Sequence, residues 1–299
     1  MMALILLHYL QLMHIDLLIN AGYDPIEAPK IWENIIKEME LGEVNKPLSM
    51  QSYNKKGGFK GLKKSEIPFI PEEIKQYEYC TMISVDSTLR ARWITEYVGT
   101  QFRKKILINH NGVNEELFSP IKKNLNFNTI GMASSFRWYN DIDELMRIIG
   151  KVVSQKDDVI FKLFVGDSDK KKVIEKKITL NNLQKFISVE FEVPLLEMPS
   201  KLSDCDILIS HFNFHGVWPH NCSIKHLEYM ALSRPVIATK VGEVNFAIKD
   251  GHNGILVKEG DDDGFARSIL FLLGNKEYAI QLGKNGRDDI LAEHTWDKH

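Results

Sequence analysis

The sequence predicts an α/β protein built on parallel sheets, one in each half of the chain. Three observations carry that expectation. Short apolar runs rich in β-branched residues recur through the second half at 128–133, 159–167, 187–193, 205–212, 234–241 and 254–260. Stretches of helical period lie between most of them, and strand–helix alternation of this kind means a parallel sheet with helices on both faces. Glycine and proline punctuate the runs, as in "SRPVIAT" and "DGHNGILVKEGD", which fixes where each run stops.

The helical stretches are 141–155, 170–178, 195–204, 223–232 and the long C-terminal 261–294. The first half has the same rhythm in weaker form. Residues 15–22 and 80–86 read as strands, and 27–41 and 87–99 as helices. Residues 104–113 read as a short strand ending in a turn, where Asn111 and Gly112 can supply the positive φ of a tight turn. The polar stretch around Ser119 to Asn126 reads as a linker. The boundary falls there, giving domains at 1–120 and 121–299, with the cleft between them as the natural ligand site.

Bulk properties exclude several classes. The chain has 299 residues, 44% hydrophobic and 26% charged, with a formal net charge of −2. That balance gives no whole-chain attraction to nucleic acid. Cys80, Cys205 and Cys222 are widely spaced and odd in number, with no CxxC pair, so neither a disulfide framework nor a zinc ribbon is expected and a reducing cytoplasm fits. The apolar start at 1–22 lacks the basic opening and small-residue cleavage site of a secretory signal. His8, Gln11, His14 and Asp16 interrupt it, so it reads as a buried helix and strand rather than a membrane span.

The sharpest chemistry lies in "SIKHLEYMALSRPVIAT". Gly216, Pro219 and Asn221 precede a helix that starts near Ser223. The first-turn N–H groups of such a helix have no intrahelical partner and the dipole is positive there, which suits a diphosphate. Glu228 lies more than a turn further in, able to accept hydrogen bonds from vicinal hydroxyls such as those of a ribose. The competing reading is an ordinary i−3 pair with Lys225 on a solvated face.

These residues carry a family resemblance. Residues 223–273 resemble the donor-binding region of the GT-B glycosyltransferases of family 4. That pattern runs E-x7-E, A-M-A, P-V-I-A-T, V-G, D-G, G-L-L-V and P-G-D. Glu228, Met230, Ala231, Pro235 to Thr239, Val241, Gly242, Asp250, Gly251, Gly254, Leu256, Val257, Gly260 and Asp261 fit it. Upstream, "NHNGVNEELFSP" resembles the family's N-G-V-D-x-x-x-F-x-P hinge, and "ISVDSTLRARW", "FKLFVGD" and "CDILISHF" resemble further elements in the right order.

The resemblance implies two Rossmann-like domains, and the shortness of the first half implies an N-terminal one that is incomplete. The C-terminus, which stops at "HTWDKH", suggests trimming there as well. It implies sugar transfer from a UDP-, GDP- or ADP-sugar to a glycan or lipid-linked acceptor, with retention and without an obligatory metal or cofactor. It places the diphosphate at Ser223 and Ile224, with Asn221 and Gly216 in the preceding loop. Glu228 takes the ribose, and Arg137 is the cation facing the leaving group. A cytoplasmic protein with peripheral contact at the inner membrane face is the matching location.

The sequence also departs from the family. The first Glu of E-x7-E falls on His220, which can meet a sugar hydroxyl but is no carboxylate. An ungapped register puts Met132 where the family has Arg and Arg137 where it has Lys; aligning on the next helix puts Asn140 at the Lys position. "NKPLSMQSY" resembles the strand before the family's catalytic-region His but ends in Gln51 and Ser52. These departures make a catalytically weak nucleotide-sugar-binding subunit the alternative, and an epimerase the third reading. The basic loop at 53–64 is read as an acceptor-docking segment or a solvated loop. His211 and His215 are a weak metal pair.

Overall fold

In the computed structural model of the chain, the described residues are 77–122, 125–136, 142–212 and 223–298, the side chains of 97 and 98 excepted. The expected elements at 1–22, 27–41 and 45–53 and the loop at 53–64 lie outside them. The chain divides into two compact units. Among the described residues, one comprises 77–85 and 91–107, the other 86–90 and 108–298.

β1 (Ile83–Val85) and β2 (Ile106–Ile108) form a two-stranded sheet, which belongs to the smaller unit apart from Ile108. Helix α1 (Thr88–Trp93), whose first three residues belong to the larger unit, runs on into a single wider turn at Ile94–Val98. Tyr77, Ile83, Val85, Trp93, Ile94 and Phe102 make one apolar cluster. Tyr77 and Phe102 meet edge-to-face at 5.6 Å.

The larger unit is a six-stranded sheet of order β5-β4-β3-β6-β7-β8, parallel at every pairing. Its strands are β3 (Thr129–Ser134), β4 (Ile160–Val165), β5 (Ile187–Phe191), β6 (Ile207–Ser210), β7 (Val236–Lys240) and β8 (Ile255–Lys258). The six apolar runs of the second half are these six strands. The connecting helices are α2 (Ile142–Val153), α3 (Lys171–Leu180), α4 (Met198–Ser203), α5 (Ile224–Ala231) and α6 (Val244–Ala247). The C-terminal stretch divides at Asn275 into α7 (Asp262–Gly274) and α8 (Lys276–Glu293).

Strand side chains alternate between two cores, as the period of two requires. Met132, Leu163, Ile207, Ile209 and Ile237 join α2, α3 and α7 on one face. Phe164, Leu208, Val236 and Ala238 join α5 and α6 on the other. Helix α2 buries Leu145, Met146, Ile148, Ile149, Val152 and Val153, the i, i+3, i+4, i+7 stripe of a helix lying on a sheet. Helix α7 starts where Asp261 accepts from the Gly264 N–H, with Asp262 and Asp263 favourable to the dipole in its first turn. The Asp206 carboxylate at the foot of β6 accepts from the N–H groups of Asn128 and Thr129, both at 2.9 Å, and so sets where β3 begins.

Two glycines matter for close approach. The Asn111–Gly112 turn is not left-handed, contrary to the sequence expectation: neither residue has a φ in the left-handed region. Gly112 is small because the Trp296 backbone lies 2.7 Å from where a Cβ would stand, beside the Val113–Thr295 bridge. Gly283 in α8 presses on the Ser233 carbonyl, which a Cβ would overlap, and Ser233 itself is left-handed at φ 56. Among the described residues no helix is long and apolar enough to cross a membrane.

Gly283→Ala therefore collides with backbone rather than with a flexible side chain. Overpacking of this kind costs about 1–3 kcal/mol. Urea unfolding should read that loss as a lower midpoint; an unchanged midpoint would mean that α8 slides away freely.

Candidate functional site

The site follows from strand order. From β3 the chain steps outward to β4 and β5 on one side, and then returns to β6 on the other side of β3. Ligands of open parallel sheets sit beyond the carboxyl ends of the strands at such a reversal. Here the reversal falls between β3 and β6. The β3–β4 ladder continues to Ser134 and Val165, whereas the β3–β6 ladder consists of Ile130 with Ile207 and Gly131 with Leu208. The last part of β3 lacks β6 as a partner.

Helix α5 supplies the missing partner. The Ala133 N–H donates to Tyr229 Oη at 2.8 Å, and the Tyr229 O–H turns back to the Ala133 carbonyl at 3.4 Å. Tyr229 is wholly buried, and burial pushes its phenol above the ordinary range. One turn earlier, His226 shares a 2.9 Å hydrogen bond with Ser210 Oγ at the end of β6. Burial, assisted by Lys225, pushes that imidazole down to about 4, so it is neutral. At the other end of α5, Arg287 donates to the carbonyls of Ala231, Glu115 and Phe118 at 3.0, 3.2 and 3.1 Å. The helix is thus tied to β3, to β6 and, through α8, to the turn at 115–118.

This anchoring presents the expected residues. Ser223 is the N-cap of α5, but its side chain accepts no hydrogen bond from the first turn. Ile224 is the first helical residue. Glu228 is half-buried, and among the described residues no group hydrogen-bonds its carboxylate. Burial raises its pKa above the ordinary 4.5, with the through-space pull of Lys225 opposing. No ion pair joins it to Lys225 at bonding distance, so the solvated-pair reading does not describe this side chain. Arg137, Gly216, His220 and Asn221 lie outside the described residues, as does His215.

The ends of the other strands are tightly turned. Ser134 Oγ accepts from the Phe136 N–H at 3.1 Å, and the buried Phe136 has a φ of 46, a left-handed geometry rare for a bulky residue. Such geometry collects at ligand sites. Glu192, after β5, has a φ of 53 and accepts from Ser168 Oγ across the end of β4 at 2.6 Å. Met132, at the family's Arg position in one register, is core. Sequence reasoning missed Tyr229 and His226. The legible signal for the first was Tyr229 standing where the A-M-A pattern has alanine.

A family model described as "Glycosyl transferases group 1" matches residues 113–289. The uncharacterized glycosyltransferase MJ1178 of Methanocaldococcus jannaschii is 27% identical over 222 residues, which cover 74% of this chain and 59% of that one. The chain thus spans less than two thirds of that relative's length. Among solved structures, a mutant of Staphylococcus aureus TarM in complex with Fondaparinux, alpha-GlcNAc-glycerol and UDP superposes with a TM-score of 0.64 at 23% identity, over 79% of this chain and 45% of that one. Anabaena Alr3699/HepE in complex with UDP and glucose gives 0.66 at 14% identity, over 81% and 66%. At these identities the structural likeness speaks for the fold alone.

Two outcomes follow from the site. Tyr229→Phe keeps the ring and removes the acceptor of the half-buried Ala133 N–H, a loss of about 0.5–1.5 kcal/mol; urea unfolding reads it. Glu228 titrates higher folded than unfolded, so the folded state holds a proton that the unfolded state has released. Stability from this group therefore falls as pH rises above 4.5 through the folded value. Glu228→Gln should gain stability relative to the parent as pH is raised from 4.5 to neutrality; parallel pH profiles would show that the carboxyl is not responsible.

Proposed function

The chain belongs to the glycosyl transferases group 1 family, and on that premise we propose that it moves a sugar from a nucleoside-diphosphate-sugar donor to an acceptor hydroxyl, with retention at the anomeric carbon. Its fold is the α/β arrangement of the GT-B glycosyltransferases. The observation that carries the donor reading is Glu228: a half-buried carboxylate with a raised pKa and no hydrogen-bonded partner among the described residues. It sits one turn inside a helix at the sheet's reversal point. A ribose presents two adjacent hydroxyls, which are the donors such a carboxylate lacks.

In this reading the first-turn amides of α5, at Ser223 and Ile224, receive the diphosphate, with Asn221 and Gly216 in the approach to it. Arg137 offsets the charge that grows on the diphosphate as the bond to the anomeric carbon breaks. His220 meets the sugar. The bond that forms joins the anomeric carbon to the acceptor oxygen. Residues 1–120 form the acceptor side, and the acceptor is a glycan or a lipid-linked precursor reached at the inner membrane face. The TarM and HepE complexes with UDP support UDP as the first nucleotide to try.

The test is thermal unfolding with UDP, GDP and ADP, followed by donor turnover. A nucleotide at 100 times its Kd stabilises by about 2.7 kcal/mol. At least one should raise the melting temperature, and Glu228→Ala should abolish that rise. If none stabilises the parent, the donor site is wrong. Binding without transfer or hydrolysis of any donor would select the catalytically weak binding subunit, for which His220 in place of the family's first Glu already speaks.

A further inference from the structure

Three side chains from elements far apart in the chain converge at the carboxyl end of the sheet. Glu144 is in the first turn of α2, His211 directly follows β6, and Asp262 opens α7. One ligand atom from each lies within 4.8 Å of the other two. Glu144 and His211 are 8% and 3% exposed. We propose that Glu144, His211 and Asp262 form a binding site for a borderline divalent cation, Zn²⁺ foremost.

Distance argues for it first. His211 Nε2 and Glu144 Oε2 are 3.5 Å apart. That is long for a hydrogen bond, whose usual N···O length is about 2.9 Å. It matches two ligands of one tetrahedral ion, since bonds of about 2.1 Å put neighbouring ligand atoms roughly 3.4 Å apart. The donor set argues next. One imidazole and two carboxylates suit Zn²⁺ and its first-row neighbours better than Mg²⁺ or Ca²⁺, which prefer oxygen throughout. Three protein ligands leave a fourth position for water.

The surroundings supply outer partners for both carboxylates, as metal ligands need. Arg147 Nε–H donates to Asp262 Oδ2 at 2.7 Å, and Arg147 lies 3.7 Å from Glu144 Oε1. The guanidinium therefore orients both carboxylates through one oxygen each. Among the described residues, the two carboxylates and the guanidinium sum to a net charge of −1 facing the ion. The Phe265 ring stands edge-on to the His211 ring at 5.5 Å and 81°, which limits its rotation.

The three ligands are not among the residues assigned to the donor. Helices α2 and α7 pack on one face of the sheet and α5 on the other. The ion would join α2, β6 and α7 without touching Glu228, and its existence does not depend on the donor reading.

The experiment uses the full chain without a histidine tag. It is stripped with EDTA, dialysed against Zn²⁺ or Mg²⁺, and its bound metal is counted by mass spectrometry. About one Zn²⁺ per chain and no retained Mg²⁺ is the expected result. His211→Gln and Asp262→Asn should each weaken Zn²⁺ binding by more than about tenfold, while His252→Ala, at an exposed histidine, should keep it. Circular dichroism checks folding. If His211→Gln unfolds, the less buried Asp262→Asn decides, because Asn can still accept from Arg147. A parent that holds no Zn²⁺ after dialysis overturns the site, and so does Zn²⁺ retained equally by Asp262→Asn and by the parent. In the Co²⁺-loaded parent, visible d–d bands that vanish in Asp262→Asn would place the ion on these ligands.

Discussion

The larger unit turns on one backbone amide. Where β6 stops pairing with β3, the Ala133 N–H has no strand partner among the described residues, and leaving this half-buried donor without an acceptor costs about 0.5–1.5 kcal/mol. Tyr229 removes that cost from the adjoining helix. The strands can therefore stop pairing early, and a reversal point that stops pairing early is what gives a parallel sheet room for a ligand. The same phenol fixes α5 against β3, so the residue that closes the floor also sets the height at which Glu228 stands.

The other ties to α5 are of a kind that ordinary pH leaves alone. The His226–Ser210 bond joins two neutral groups, because burial keeps the imidazole uncharged down to about pH 4. Arg287 spends its fork on three carbonyls rather than on a carboxylate, which satisfies the open C-terminus of α5 and joins it to the 115–118 turn. Glu228 is the exception on this helix. It is desolvated without a hydrogen-bond partner among the described residues, whereas His226 and Tyr229 are buried with theirs, and a carboxylate kept in that state suits a ligand whose hydroxyls restore the lost hydrogen bonds.

The remaining hinge-side contacts belong to the same logic. Glu243, between β7 and α6, accepts from the Leu89 N–H at 3.0 Å, and Ser87 accepts from the Arg90 N–H at 3.1 Å. His110 lies flat on Phe246 with ring centroids 4.0 Å apart. Residues 86–90 and 108–113 are thus bound into the larger unit by helix capping and ring stacking. The order of the chain alone does not indicate that attachment.

The sheet was legible in the sequence because its six strands are short, largely apolar runs, the inner four mostly buried on both faces, and the period of two or 3.6 follows from local geometry. Glu228 was legible because an acid in an otherwise apolar helix stands out, and the ordered motifs at 223–261 named the family. What sequence could not supply was pairing at a distance. The bond from Tyr229 to Ala133 spans 96 positions, Asp206 reaches back to Thr129, and Glu144, His211 and Asp262 meet only because β6 ends where α2 and α7 begin. Gly112 reads as a turn glycine in sequence, yet it is small because Trp296 crosses it. Periodicity and motif order are properties of neighbours along the chain, so the sequence determined the class of fold and the helix that carries the candidate site. Which strand end lacks a partner, and which side chains fill that place, depends on the register of distant segments, and only the packed structure decides it.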